Sequence, residues 1–319
     1  MTTRKLTEIT VIGDDKTGLI ARVTTLLFER GINIEDLDQA VRDDLFRMTM
    51  KVDAAEMETS REELRADLRE LGRDLDVDVQ VRFPSDRETR QIAVLVTRES
   101  HCPTALFEAW SNGDLDADVG VVVGNHAALR PLAEEYGVPF HDVGNEKGQP
   151  DEEELLDVLA AYDTDLIVLA RYMRILSPNV VFRYEGRIIN IHPSLLPAFP
   201  GAKAYRQAKE DGVRIAGVTA HYVTTDLDQG PIITQRAFNV PDEADMAAIK
   251  ARGQPLEADA LLEAVQLHLN DDVQIHRGRT ELRETEEAYQ LGMPDVLEQV
   301  SPSEPVDGAG VATRQPSDD

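Results

Sequence analysis

The chain has 319 residues, enough for two ordinary domains, and its 60 acidic against 33 basic residues give a net charge of −27. That charge repels nucleic acid and anionic membrane surfaces, and no apolar run is long enough to span a bilayer. A single cysteine, Cys102, excludes an intrachain disulfide framework and a multi-cysteine zinc site.

Only 7 of the 33 basic residues are lysine. An acidic, lysine-poor surface is one way of staying hydrated in concentrated salt, where self-repulsion is screened, so the composition is halophile-like. The N-terminus lacks a signal-peptide apolar core, so a cytoplasmic location is expected.

Residues 1–84 form one small unit. Leu6–Ile12 alternates as a strand and ends at Gly13-Asp14-Asp15-Lys16-Thr17-Gly18. A helix follows with Leu19, Ile20, Val23, Leu26 and Leu27 on one face, and Gly31 stops it. Ile32–Val41 and Leu45–Val52 alternate as a hairpin around Arg42-Asp43-Asp44. Ser60 with Glu63 forms a capping box for a second helix, and Asp76–Phe83 supplies the last strand. The order βαββαβ is the ferredoxin-like pattern. Residues 85–90 are polar and serve as a linker.

From Gln91 strands alternate with helices: Ile92–Thr97, Asp118–Val123, Val138–Val143, Asp165–Leu169 and Arg187–Ile191. Continuous apolar runs of this kind suit parallel strands buried on both faces, as in a doubly wound, mostly parallel α/β domain over residues 91–285. Glu152–Tyr162 and Leu256–Leu269 carry helical periodicity, and Arg214–Thr224 with Pro231–Asn239 forms a β extension. Residues 286–319 are acidic and rich in Pro, Ser and Gly toward the end, a composition that predicts disorder.

In a doubly wound sheet, ligands sit beyond the carboxyl ends of the strands. The segment Arg187–His192 runs into Pro193, and Asn190 and His192, two apart, share one face of it. Asp228 lies in a loop ending Gly230-Pro231, after a strand carrying His221. A carboxylate near an imidazole fixes its orientation and charge, and imidazolium plus carboxamide N–H stabilise an oxyanion. Such a set suits attack on a formyl or acyl carbon without a Ser or Cys nucleophile. Residue by residue the plain reading prevails: a strand-end Asn is usually a turn cap, a lone His structural and an Asp before Gly-Pro a turn residue.

The phrase "GDDKTGLIARVTTLLFERGINIEDL" resembles ACT regulatory domains. That resemblance implies an amino-acid effector, glycine or methionine, near Asp14, Asp15, Gly18, Leu19, Asn33 and Ile34; as residues alone the same turn is simply a well-capped helix start. ACT domains pair edge to edge, which implies a homo-oligomer. The motif "NIHPSLLPAFPG", with "AHYVTTDLDQGPI" downstream, resembles the 10-formyltetrahydrofolate-dependent transferases and hydrolases. The resemblance implies Asn190, His192 and Asp228 as catalytic residues, and "ARYMRILSP" as a folate-pocket segment in which backbone groups of Arg174, Ile175 and Leu176 meet the pterin. Thr225, Asp226 and Leu227 then complete the pocket.

Two activities share these segments. Glycinamide ribonucleotide formyltransferases hold their substrate's phosphate on a Gly-rich loop after the first strand; here Thr97–Pro103 contains no glycine. The segments "SHC", "SNGDLDADV", "YGVPFHDV" and "FPGAKAY" instead resemble formyltetrahydrofolate deformylases, over residues 5–285. This implies hydrolysis of 10-formyltetrahydrofolate to formate and tetrahydrofolate, supplying formate for purine synthesis, with no bound cofactor and no metal. His101 then stands at the active-site mouth and His221 supports the site from behind. Pro193 departs from the deformylase pattern, which has a second His there, so transfer to an amine is the alternative. A non-catalytic folate or amino-acid sensor is a third.

Overall fold

The structure, a computed structural model, describes residues 6–55, 57–83 and 89–283. Most of the expected linker and the whole expected C-terminal tail lie outside the described residues.

The N-terminal region orders β1 (Thr7–Asp14), α1 (Leu19–Glu29), β2 (Asn33–Arg42), β3 (Leu45–Asp53), α2 (Arg61–Leu75) and β4 (Val77–Arg82). Its antiparallel sheet runs β2-β3-β1-β4. Strand alternation sends Ile9, Val11, Met48 and Met50 to one face, where both helices cover them with Val23, Leu27, Leu64 and Leu68. Leu19 joins that core, whereas Ile20, expected on the same helix face, is 37% exposed. Asp43 and Asp44 turn the hairpin with left-handed backbones, φ 49° and 65°, as a two-residue connection requires. Ser60 caps α2 through a capping box in which Glu63 N–H donates to Ser60 Oγ and Ser60 N–H donates to Glu63.

The second region contains β5 (Arg90–Val96), α3 (His101–Asn112), β6 (Ala117–Gly124), α4 (Arg130–Glu135), β7 (Phe140–Asp142), α5 (Glu152–Ala161), β8 (Leu166–Leu169), α6 (Pro178–Arg183), β9 (Ile188–His192), α7 (Ala204–Glu210), β10 (Ile215–Tyr222), β11 (Ile232–Asn239) and α8 (Met246–Leu269). A hairpin, β12 (Val273–His276) with β13 (Arg279–Leu282), forms a separate small sheet. The large sheet runs β11-β10-β9-β8-β5-β6-β7. Five strands are parallel; β10 pairs antiparallel with β9 and with β11. Chain order reverses between β5 and β8, and a crevice opens beyond the carboxyl ends of strands at such a point. Along β5, Ile92, Val94 and Val96 enter the core under α3 and α8, while Ala93 and Leu95 enter the core under α5 and α6.

Two expected elements change length. The strand expected over 138–143 shrinks to Phe140–Asp142, because Val138 N–H instead closes the preceding helix on Ala133 O at 2.9 Å. The helix expected from Leu256 begins ten residues earlier at Met246, with Pro255 inside it. Proline normally breaks a helix. Here the extra turns are capped by Asp245, which accepts from Ala248 N–H at 2.7 Å, and buried through Ile249 and Gly253. A Cβ at Gly253 would lie 2.0 Å from Tyr205 Oη, so the close approach of α7 and α8 needs glycine there.

Arginines join the two regions. Arg47, 3% exposed, pairs with Asp38 and with Glu185, and lies over the Phe182 ring at 5.5 Å. Arg183 pairs with Asp78, and Arg82 with Asp165.

His268, near the end of α8, places Nδ1 2.8 Å from Tyr222 Oη, and burial with Arg90 nearby pushes its pKa down to about 4. The unfolded chain takes up this proton near pH 6.5. Between pH 6.5 and 4 the unfolded state therefore binds more protons, and stability falls as pH falls; above 6.5 this contribution to the pH dependence vanishes. Denaturant melts should show the midpoint dropping over that window, with a shallower drop for His268→Gln. Identical slopes would remove His268 as the cause.

Candidate active site

The crevice holds a cavity of about 500 Å³. Asn190 and His192 reach it from the end of β9, and β10 runs antiparallel beside them in a register that sets His221 opposite Asn190. The result is a contact of 3.1 Å between Asn190 Nδ2 and His221 Nε2. His221 Nδ1 lies 2.9 Å from Tyr222 O, a bond only an N–H can make there. Nδ1 thus carries the proton, and Nε2 presents a lone pair to the Asn190 amide. Burial lowers the His221 pKa against the opposing pull of Tyr222 O and Asp228, which keeps the ring neutral.

Asp228 arrives from the turn between β10 and β11. Its own φ is 54°, and Asp226 O accepts from Gln229 N–H and Thr224 Oγ1, each at 3.2 Å. A Cβ on Gly230 would sit 1.8 Å from Tyr222 O, so only glycine lets the turn fold back onto its strand. The Asp228 side chain is 8% exposed. Its Oδ2 accepts from Gly201 N–H at 2.7 Å and lies 3.4 Å from His192 Nδ1; Oδ1 lies 3.8 Å from His221 Nε2. His192 Nε2–H donates to Phe199 O at 2.9 Å, so both ring nitrogens face acceptors.

The loop from Pro193 to Gly201 supplies those partners and is pinned to β10. Thr219 Oγ1 donates to Ser194 O at 2.7 Å and accepts from Leu196 N–H at 3.0 Å. Its Leu196–Pro197 peptide is cis.

Arg174, Ile175 and Leu176 line the cavity, as do Thr225 and Leu227 from the Asp228 turn. Arg174 spends its guanidinium on Gly148 O, at 2.7 Å, and Lys147 O, at 3.0 Å. Met173, Ile175 and Leu227, which also line the cavity, are 52%, 72% and 47% exposed, so it carries unburied apolar side chains. Asp226, expected with Thr225 and Leu227, does not line the cavity; its carboxylate turns outward to Arg42.

The other wall carries Glu99, Arg171 and Tyr205. Behind it stands Glu257, fully buried, 3.0 Å from His101 Nε2, 2.7 Å from Tyr205 Oη and 3.2 Å from Arg171 Nε. Burial opposes the charge of Glu257, but bonds from His101 and Tyr205 and the Arg171 guanidinium outweigh it and hold its pKa below the ordinary carboxylate range. Arg171 also pairs with Glu99 at 3.0 Å. His101, expected at the mouth, is thus a partner of Glu257 and does not line the cavity. Cys102 is buried, and desolvation with Glu257 nearby pushes its thiol pKa up, the opposite of an activated nucleophile. His101, Cys102 and Glu257 bring ligand atoms within 4.8 Å of one another, but the cation this carboxylate holds is Arg171.

The pattern had not revealed Glu257, Arg171 or the Gly201 amide. A signal for Glu257 exists: it stands on the buried stripe of α8 with Gly253, Ala260, Leu261 and Ala264, where a charge needs a partner. The six positions expected near an effector divide. Leu19 belongs to the N-terminal core, Gly18 has φ 91° with open space at its Cβ position, and Asn33 Nδ2–H donates to Glu35 at 2.8 Å. None of the six lines the active-site cavity.

Residues 90–265 match the formyl transferase family and residues 8–82 the ACT domain. The formyltetrahydrofolate deformylase of Bacillus subtilis is 38% identical over 271 residues, covering 83% of this chain and 90% of that one. A crystal structure of a formyltetrahydrofolate deformylase from Pseudomonas syringae superposes with a TM-score of 0.60 at 28% identity, over 89% of this chain and 96% of that one. Glycinamide ribonucleotide transformylase 1 from Symbiobacterium toebii gives a TM-score of 0.59 at 32% identity, over 62% of this chain and 95% of that one. The transformylase likeness stops short of the whole chain, while the deformylase likeness spans both regions, and on that breadth the chain belongs to the formyltetrahydrofolate deformylase family.

Proposed function

We propose that the chain hydrolyses 10-formyltetrahydrofolate to formate and tetrahydrofolate at the site built by Asn190, His192 and Asp228. The observation that carries this is their convergence, with His221, on one cavity that the exposed apolar side chains of Met173, Ile175 and Leu227 also line. In this assignment the folate lies against Arg174–Leu176, Thr225 and Leu227, with its formyl group at Asn190. Asn190 has one amide N–H on His221 and a second for the formyl oxygen. His192, in its protonated form, adds positive charge beside the same oxygen.

Water attacks the formyl carbon and gives a proton to Asp228. A tetrahedral oxyanion forms, held by Asn190 and His192. The C–N10 bond then breaks, N10 takes the proton relayed from Asp228, and the product leaves as formate after formic acid gives its remaining proton to bulk water. His221 positions the amide by accepting from it.

Water as acceptor is supported by the far wall. The glycine-free turn after β5 leads straight into α3, whose first residue His101 is committed to Glu257, and Arg171 is matched by two carboxylates. Pro193, which also lines the cavity, favours the second reading, formyl transfer to an amine. The same proposal includes a cytoplasmic homo-oligomer and a small-molecule effector, glycine or methionine, on the ACT region near Asp14–Leu19 and Asn33–Ile34.

Asn190→Ala, His192→Ala and Asp228→Asn should each lower formate release by about 10²–10³ or more, with unchanged circular dichroism. Protein that releases no formate but formylates glycinamide ribonucleotide would sink the hydrolase assignment. His221→Ala should lower kcat by about tenfold with KM within about twofold, and His221→Gln, which keeps an acceptor, should lose less. Equal losses in the two variants would remove the assigned Asn190 contact.

A further inference from the structure

The turn that carries Asp228 is also held from the ACT region. Asp226 pairs with Arg42, which ends β2 at the tip of the β2–β3 hairpin, 184 residues away in sequence. Because Asp226 O also accepts from Thr224 and Gln229, this one residue anchors both arms of the turn. A second cavity, of about 590 Å³, opens beside the contact, with Arg42 and Asp43 on the hairpin side and Ile175, Leu176 and Thr225 opposite. Those last three residues also line the active-site cavity. Close to its tip the hairpin is braced by Arg47, opposite Ala40, against Glu185 and Phe182, so the tip approaches the turn on a fixed arm.

We propose that Arg42 is a positioning residue for the folate substrate: through Asp226 it holds Thr225 and Leu227 in place as a wall of the substrate pocket. The inference rests on the pocket assignment made under Proposed function. Asp228 has ties of its own, to Gly201 N–H and to His192, so the chemical step is insulated from Arg42 while the pocket wall is not. Arg42 and Asp226 are about half exposed, at 46% and 51%, which limits the effect to about threefold to fivefold in affinity.

The test is steady-state formate release by the full chain, comparing Arg42→Ala, Asp226→Asn, the double variant and the exchange Arg42→Asp/Asp226→Arg. Each single change should raise KM by about threefold to fivefold with kcat within about twofold. The double variant should be no worse than either single, because the two side chains act as one unit. The exchange should bring KM back toward the parent value. Molar salt should raise the parent KM toward that of Arg42→Ala and leave the variant little changed. An unchanged KM in Arg42→Ala, additive losses in the double variant, or equal loss of kcat and kcat/KM would each overturn the inference. Asp228→Asn in the same assay separates the levels: if it stays active the catalytic assignment falls, and the inference with it. If it is dead while Arg42→Ala matches the parent, only the inference falls.

Discussion

The bond from Gly201 N–H to Asp228 Oδ2, at 2.7 Å, is the constraint on which the site depends. It joins two loops that leave neighbouring strands, one after β9 and one after β10. Removing water from a carboxylate costs several kcal/mol unless partners replace it. Asp228 recovers that cost from one backbone amide and from His192, and it can do so only because its own backbone is left-handed and Gly230 lets the turn close on Tyr222. The same bond orients His192, whose other nitrogen is fixed by Phe199 O from the Gly201 loop. Asn190 is oriented separately, by register: antiparallel pairing of β9 and β10 puts a neutral His221 across from it.

Charge is spent differently inside the molecule and at its surface. The surface is acidic, but the contacts between the ACT region and the catalytic region use arginine: Arg42, Arg47, Arg82 and Arg183. A guanidinium is planar and weakly hydrated, so it pairs and stacks where a lysine would hold its water. Arg47 does both, with two carboxylates and the Phe182 ring, at 3% exposure. Screening in concentrated salt weakens exposed pairs first. Of these contacts, the one at Arg47 is therefore the anchor, and the exposed pair at Arg42 is the adjustable one.

Local pattern revealed what local physics determines. Alternation in β1 and β3, the Ser60–Glu63 box, the apolar runs of β5, β6 and β8, and the two-residue spacing of Asn190 and His192 are short-range features. The start of α8 was hidden because Pro255 reads as a breaker, and only burial of Ile249 and Gly253 against α7 overrides it. Contacts such as Arg42 with Asp226, or His101 with Glu257, join residues 184 and 156 positions apart, and no period or spacing encodes them. The meaning of Asn190, His192 and Asp228 came from resemblance, since each alone is an ordinary turn or strand-end residue.

In the assignment proposed above, catalysis and acceptor choice fall to two walls of one cavity. In that assignment the wall with Asn190, His192, His221 and Asp228 would perform folate-formyl chemistry whichever nucleophile arrives, and its Pro193 is the residue the transferases carry. The other wall is closed on itself: Glu257 takes His101, Tyr205 and Arg171, and Arg171 takes Glu99 as well. A phosphate-bearing amine would have to break charge-assisted bonds that are already satisfied, at a cost water does not incur. The two walls share no side chain, so substitutions can shift acceptor preference without touching the chemical step. That separation explains how a transferase-like motif and a hydrolase-like surrounding coexist in one chain.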